Sequence, residues 1–337
     1  MATQQNALFA IIVAVLGTSV HTTNGDYHPM SDEFIEMINS KQNSWRAGRN
    51  FHKDTPMSYF KNLMGVKKVE IKMNLPVIEH DDEIIANLPE HFDSRDKWPN
   101  CPSLNEIRDQ GVCGSCWAFG PVEVMTDRYC IFSNGTKNFH FSAQDVLSCS
   151  NGGTCQGGDE RMTWKFWLEQ GIVSGGNYNS NEGCKPYEIP PKNHTSGNLP
   201  LYTEPASVSE CLEHCQSSYS VDYKNDKRYG KSVYTIRNNE KQIKAEIFMN
   251  GPVQVSFFVY SDFIGYKEGV YRHTEGEGIL GHSVKILGWG VEGGEKYWLG
   301  ANSWGTYWGD KGYFKFLRGE DHCGIESGVN ACVPKIE

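Results

Sequence analysis

Apolar and polar positions alternate with two different periods along this chain, and the change of period divides it. Behind Ser31-Asp32-Glu33, a capping serine followed by first-turn acids, Phe34, Ile35 and Ile38 recur at helical spacing, so Ser31–Trp45 predicts a helix. Further helices are predicted over Cys116–Cys130, Ser142–Cys149 and Glu160–Glu169. A short amphipathic one over Glu240–Met249 is closed by the stop signal Asn250-Gly251-Pro252. Gly171–Pro205, with Gly175-Gly176 and Pro190-Pro191 and few apolar runs, reads as long loops. From there on strand-like runs take over: Val253–Tyr260, His282–Trp289, Tyr297–Asn302 and Gly312–Leu317. A helix-rich half followed by a strand-rich half predicts an α+β fold of two lobes with a cleft between them.

The N-terminal quarter has its own character. Leu8–Gly17 is a ten-residue apolar run, too short to span a bilayer but suited to the core of a signal peptide, and Gly17, Thr18 and Ser19 supply a cleavage zone. Residues 1–20 are read as a signal peptide. Residues 21–87 contain no cysteine, and Asp81-Asp82-Glu83 makes an acidic connector before Leu88-Pro89 of the kind that proteases cut. They read as a prosegment, with 88–337 as the mature unit, its helical lobe at about 101–236 and its β lobe at about 237–325. The pattern places the protein in the secretory pathway, in a lysosome or outside the cell.

Composition sharpens this. At 337 residues the chain can bury one large core or two smaller ones. A net charge of −9 without a basic stripe argues against a nucleic-acid partner, and no later stretch is apolar and long enough for a membrane span. In an oxidising compartment eleven cysteines are mostly paired, and the odd count leaves at least one thiol free.

That free thiol has a candidate in Gln110-Gly111-Val112-Cys113-Gly114-Ser115-Cys116-Trp117-Ala118-Phe119-Gly120. A cysteine at the mouth of a helix meets the positive end of the dipole and unpaired N–H groups, which favour the nucleophilic thiolate. His282, in Gly281-His282-Ser283, is a candidate base, and Asn302, in Ala301-Asn302-Ser303-Trp304-Gly305, can orient it while Trp304 shields the bond. Gln110 can join the Cys116 backbone N–H as an oxyanion hole. The same Cys113-Gly-Ser-Cys116 spacing also fits a redox centre or half a zinc site. Zinc lacks a second close pair of matching spacing, and the βαβ context of a thioredoxin-like site is missing. No metal or organic cofactor is expected.

These motifs, with Asn43-Ser44-Trp45-Arg46-Ala47-Gly48-Arg49-Asn50-Phe51, Phe92-Asp93-Ser94-Arg95 and Asp321-His322-Cys323-Gly324-Ile325-Glu326-Ser327, resemble the cathepsin B branch of the papain family over nearly the whole chain. The resemblance implies a papain-like fold with a helical left lobe and a barrel-like right lobe. It implies a zymogen that hydrolyses peptide bonds through catalytic Cys116, His282, Asn302 and Gln110. Substrate contacts are implied at Gly157, Gly158, Gly281, Trp304, Gly328 and His194. The implied disulfides are Cys101–Cys130, Cys113–Cys155, Cys149–Cys211 and Cys184–Cys215, with Cys323 and Cys332 either bonded to each other or both free. The implied partners are peptide and protein substrates, its own propeptide and cystatin-type inhibitors, and the implied state is a monomer. His282 and Asn302 follow Cys116 by about 30 residues more than the roughly 130–150 usual in the family; the insert between Gly171 and Arg237 can supply the excess.

The chain departs from that branch in three places. Where two adjacent histidines on a stapled loop grip the substrate's C-terminal carboxylate, Pro190-Pro191-Lys192-Asn193-His194-Thr195 keeps one histidine and lacks the cysteine pair. This predicts endopeptidase action with weakened dipeptide release. Asn193-His194-Thr195 is also a glycosylation sequon, as is Asn134-Gly135-Thr136. The acidic residue at the base of the pocket for the second residue before the scissile bond corresponds to Gly328, while Asp159 and Glu160 stand near its side wall, which favours an apolar or mixed preference. Pro121, about five positions into the helix that Cys116 opens, removes a backbone hydrogen bond. A distorted helix there would support the alternative, a catalytically impaired homologue acting as a binding or decoy protein.

Overall fold

A computed structural model of the chain describes residues 27–67, 75–191 and 206–336. The predicted signal peptide, Asn193 and His194 lie outside them. Helices begin where the apolar period placed them, but the first stops short of its predicted end at Trp45, which opens a strand instead because it pairs with the sheet edge at Gly269. Asp32–Lys41 is capped by Ser31, whose hydroxyl accepts the Phe34 N–H, and it buries Phe34 and Ile38. Glu160–Glu169 has the predicted limits, and Glu240–Asn250 stops at Gly251, which takes a positive φ of 93°. The helix Cys116–Phe132 runs through the middle of the molecule. Nearly all its residues are buried, charged ones included, because it packs on Glu160–Glu169 on one side and on the sheet on the other.

The barrel-like lobe of the sequence reading is an open ten-stranded sheet. Its centre is the long strand Gly278–Glu292, flanked by Val253–Tyr260 and Glu295–Ala301. His282 therefore sits inside a strand, opposite Phe257, and does not open one. Gly230–Ile236 and Asn330–Pro334, which the sequence left as a lobe boundary and a tail, complete one side. Both outer edges are covered by the N-terminal segment: Trp45–Ala47 pairs with Tyr266–Tyr271, and Val77–Ile78 pairs with Gly230–Ile236. The acidic connector carries a short exposed helix, Asp82–Ala86.

Two large apolar cores result among the described residues, with two small satellites beside them. One, on the sheet side, takes in Met30, Phe34, Trp45 and Phe60 from the N-terminal segment together with Phe263, Tyr266, Trp304 and Trp308. The other, on the helical side, is built on Trp117, Phe119, Trp164 and Trp167. A buried ion pair, Lys285 Nζ to Asp127 Oδ2 at 2.8 Å, ties the strand of His282 to the helix of Cys116 between them. Disulfides join Cys101–Cys130, Cys113–Cys155, Cys149–Cys211 and Cys184–Cys215, while Cys323 and Cys332 are free. No described helix is long and apolar enough to cross a membrane.

Candidate active site

Cys116 is the first residue of its helix, and the Ser115 side chain does not cap that end. The Ser115 hydroxyl lies 3.0 Å from Tyr187 Oη instead, and Tyr187 donates to the Gln110 carbonyl at 2.8 Å. The N–H groups of Ala118 and Phe119 are taken by the Ser115 carbonyl at 2.8 and 3.0 Å, and that of Trp117 faces the thiol, as does that of Ser283 on the sheet side. The proline five residues on does not break the helix, which is continuous to Phe132. The carbonyl that Pro121 leaves without its N–H donor is that of Trp117, and Thr163 Oγ1 donates to it at 3.1 Å. A neighbouring helix thus replaces the bond that the proline removes.

Across the cleft His282 is fully buried, with Nε2 at 2.8 Å from Asn302 Oδ1 and the Trp304 ring 4.7 Å away between centroids. Nδ1 has no partner among the described residues. Ser303 organises the rest. Its N–H donates to Asn302 Oδ1, its hydroxyl to Gln110 Oε1 at 2.7 Å, and its carbonyl accepts the Gln110 N–H at 2.8 Å. Because Oε1 is taken, the Gln110 Nε2 is the end that faces the cleft, where it donates to the carbonyls of Cys113 and Leu63. Ser303, Tyr187 and Thr163 were not singled out in the sequence; each acts across a long separation that no local pattern reveals.

The cleft is filled by Leu63–Lys67 of the N-terminal segment. The Gly65 N–H donates to Cys116 Sγ at 3.1 Å. On one wall the Gly158 N–H donates to the Gly65 carbonyl and its own carbonyl accepts the Lys67 N–H, both at 2.8 Å; on the other, the Val66 N–H donates to the Gly281 carbonyl at 3.0 Å. The segment runs parallel to Gly158 and antiparallel to Gly281. Gly65 is required for this approach, since a Cβ there would lie 1.8 Å from the Gly114 carbonyl oxygen. Gly157 is stacked beside Gly158 in the same short hairpin.

Enclosure sets the protonation of the pair. Burial pushes the Cys116 thiol up to about 12, against the N–H groups of Ser283, Gly65 and Trp117, and the nearby Glu160 carboxylate acts in the same direction as burial. Burial likewise lowers the His282 imidazole to about 4, although the Asn302 bond favours its charged form. Of the two acids on the side wall, Asp159 is clamped by Arg161, whose Nε and Nη2 approach it at 2.6 to 3.0 Å. Glu160 accepts the Ser256 hydroxyl at 3.2 Å and its own backbone N–H, and burial raises its carboxyl above the usual range. Gly328 stands in open space, and Asn134 is exposed in the turn after the central helix.

The chain matches two family models: that of the papain family cysteine protease over residues 88–333 and that of the peptidase family C1 propeptide over 30–70. It is 44% identical over 335 residues to a cathepsin B-like cysteine proteinase of Schistosoma japonicum, covering 96% of each chain. It is equally identical, 44% over 319 residues and 90% of each chain, to cathepsin B-like cysteine proteinase 5 of Caenorhabditis elegans. Among solved structures it resembles procathepsin B S9 of Trypanosoma congolense, with a TM-score of 0.80 and 34% identity over 92% of this chain and all of that one.

Proposed function

The chain belongs to the papain family of cysteine proteases as a cathepsin B-like peptidase, and from that premise we propose that it is a zymogen whose mature form is an endopeptidase with weakened dipeptide release. Cys116 is the nucleophile. Once the cleft is open, His282 Nδ1 takes the thiol proton, and the thiolate attacks the peptide carbonyl. The imidazolium then protonates the leaving amine, and water hydrolyses the acyl-enzyme with the same histidine as base. Asn302 holds the ring in place, and Gln110 Nε2 with the Cys116 N–H stabilises the oxyanion. The observation that carries this reading is the pairing of a His282 ring anchored to Asn302 at 2.8 Å with a free Nδ1 and a thiol at an uncapped helix start.

Latency follows from what touches the sulfur. The Gly65 N–H lies against Sγ, the Leu63 carbonyl occupies the Gln110 donor, and the segment runs parallel to Gly158. The segment fills the site without offering it a bond to cut. At the second residue before the scissile bond we assign a mixed preference: Gly328 leaves the pocket base without a charge, and Glu160, which has no close ion pair among the described residues while Asp159 is clamped by Arg161, can receive a basic side chain. Weakened dipeptide release rests on the sequence of 190–195. Processing in the secretory pathway, with action in a lysosome or outside the cell, completes the reading.

The deciding experiment is titration of the processed protein with iodoacetamide. One equivalent on Cys116 abolishing peptide hydrolysis is the expected result; hydrolysis that persists after full alkylation sinks it. Comparable rates on C-terminally free and blocked peptides support the endopeptidase assignment, and a strong preference for the free carboxylate overturns it.

A further inference from the structure

The sheet edge on the far side from Trp45 is closed by residues 75–80, which precede the peptidase match. Val77 lies opposite Thr235 and Ile78 opposite Ile236, in parallel. The Thr235 N–H donates to the Pro76 carbonyl at 2.9 Å and the Arg237 N–H to that of Ile78 at 3.4 Å. Leu75 packs on the helical-side core and Ile78 on the sheet-side core, while Val77 between them is 62% exposed. Glu79 pairs with Arg237 at 2.9 Å.

His80 ends the segment and is gripped at three atoms. Its N–H donates to Gln242 Oε1 at 2.6 Å, its carbonyl accepts Gln242 Nε2 at 3.2 Å, and its Nε2 lies 2.7 Å from Glu246 Oε2. Gln242 thus acts as one more rung of the ladder, built from a side chain. Glu246 is fully buried and divides its two oxygens. Oε1 faces inward to Arg128 at 2.8 Å and to the Tyr234 hydroxyl at 2.8 Å; Oε2 faces His80, with Asn250 Nδ2 at 3.2 Å. Burial pushes this carboxyl up, but Arg128 and the hydrogen bonds from His80, Tyr234 and Arg128 bring it down to about 2, so it is an anion at any working pH.

Take residues 75–80 away and the edge loses its ladder partners and two apolar plugs, and a buried carboxylate oxygen loses a donor. An open strand edge beside such an anion is built to receive a strand. We propose that, once the chain is cut after His80, the edge Gly230–Ile236 with Gln242 and Glu246 is a second peptide-binding site, separate from the cleft. It takes extended segments of the pattern apolar-x-x-apolar-x-His, and its occupant is the connector Leu75–His80, held in cis before the cut and in trans after it.

The proposal rests on the reading that the N-terminal segment is removed, and the test keeps the two apart. Mature enzyme is sequenced at its N-terminus, assayed for hydrolysis, alkylated on Cys116 with iodoacetamide and then titrated with a fluorescent peptide of residues 75–81, Leu-Pro-Val-Ile-Glu-His-Asp. Saturable binding is expected to survive alkylation. It should weaken by about tenfold or more for a His80→Ala peptide, the loss of a hydrogen bond to a charged group, and similarly for Gln242→Ala enzyme. No saturation at millimolar peptide, equal binding of the His80→Ala peptide, or loss of binding on alkylation would each overturn it. So would a mature N-terminus at or before Leu75, because the edge would never be vacated. Absence of hydrolysis in the first assay strikes the peptidase reading alone.

Discussion

Around Trp45 the N-terminal segment is held by buried side chains, whereas at Gly65 it is held almost wholly by backbone. Trp45 is 2% exposed; its ring stands 5.1 Å from that of Tyr271 and 6.2 Å from that of Tyr266, and its indole N–H donates to the Arg272 carbonyl. Asn50, also buried, donates to the carbonyls of Ile264 and Tyr266. The cleft contact has no such payload. From Gly65 to Lys67 it consists of four hydrogen bonds and a glycine without a Cβ, the buried side chains of Leu63 and Met64 standing just before it. The remote hold supplies free energy through apolar burial, and the near one spends little but decides what the thiol meets. Affinity and latency are thereby assigned to different residues.

That division can be attacked with one readout, the rate at which iodoacetamide labels Cys116 in the uncut chain. The largest effect is expected from Gly65→Ala. Its Cβ would overlap the Gly114 carbonyl, so the cleft strand must lift while the Trp45 contact stays. Labelling should approach the rate of the cut enzyme; unchanged labelling would show that the near hold does not depend on close approach. Next comes Trp45→Ala, which removes roughly 3–5 kcal/mol of core packing and should accelerate labelling by a hundredfold or more without abolishing latency.

A third test asks what the enclosure does to the proton. With the segment in place the thiol stays protonated up to about 12 and the imidazole stays neutral down to about 4, so between those limits the pair carries one proton, on sulfur. Opening the cleft moves that proton to Nδ1 without drawing one from water. The uncut chain should therefore lack thiolate absorbance between about pH 5 and 8, measured against a Cys116→Ser control. Cutting should bring the absorbance in with no net proton uptake by the pair; thiolate signal in the uncut chain would refute this. The smallest effect belongs to Lys41, whose ammonium reaches the Glu275 carboxylate at a half-exposed site. Surface pairs of this kind are worth about 0–1 kcal/mol. Lys41→Ala should change labelling less than about fivefold, and added salt should shrink even that.

The contrast also separates what the sequence discloses from what it hides. Ser31 with Phe34 and Ile38, or the uninterrupted Glu160–Glu169 period, are local signals that fix where a helix starts, though the first helix ends at Lys41 and not at Trp45. Trp45–Ala47 and Val77–Ile78 are strands only because Tyr266–Tyr271 and Gly230–Ile236 present open edges to them, a long-range pairing that no propensity in two or three residues encodes. The site divides the same way. Cys116, His282, Asn302 and Gln110 belong to motifs; the structure joins His282 to Asn302, links Asn302 to Gln110 through Ser303, and sets Cys116 against the N–H of Ser283. Ser303, which joins its neighbour Asn302 to the distant Gln110, looks like an ordinary turn serine. Gly65 left a weak trace: a lone glycine after the apolar pair Leu63-Met64, where a helical run breaks.

Pro121 and Thr163 finally bear on the history such a chain can have. While proline occupies position 121, the Trp117 carbonyl depends on the Thr163 hydroxyl, and losing that hydroxyl would strand a buried acceptor beside the nucleophile. With an ordinary residue at 121, the backbone would supply the donor and position 163 would be free to drift. The two sites are therefore not exchangeable in order. Gaining the hydroxyl before the proline, and losing the proline before the hydroxyl, avoids an intermediate that strands the carbonyl at a cost of about 1–3 kcal/mol, so the order of substitution at this corner of the active site is biased.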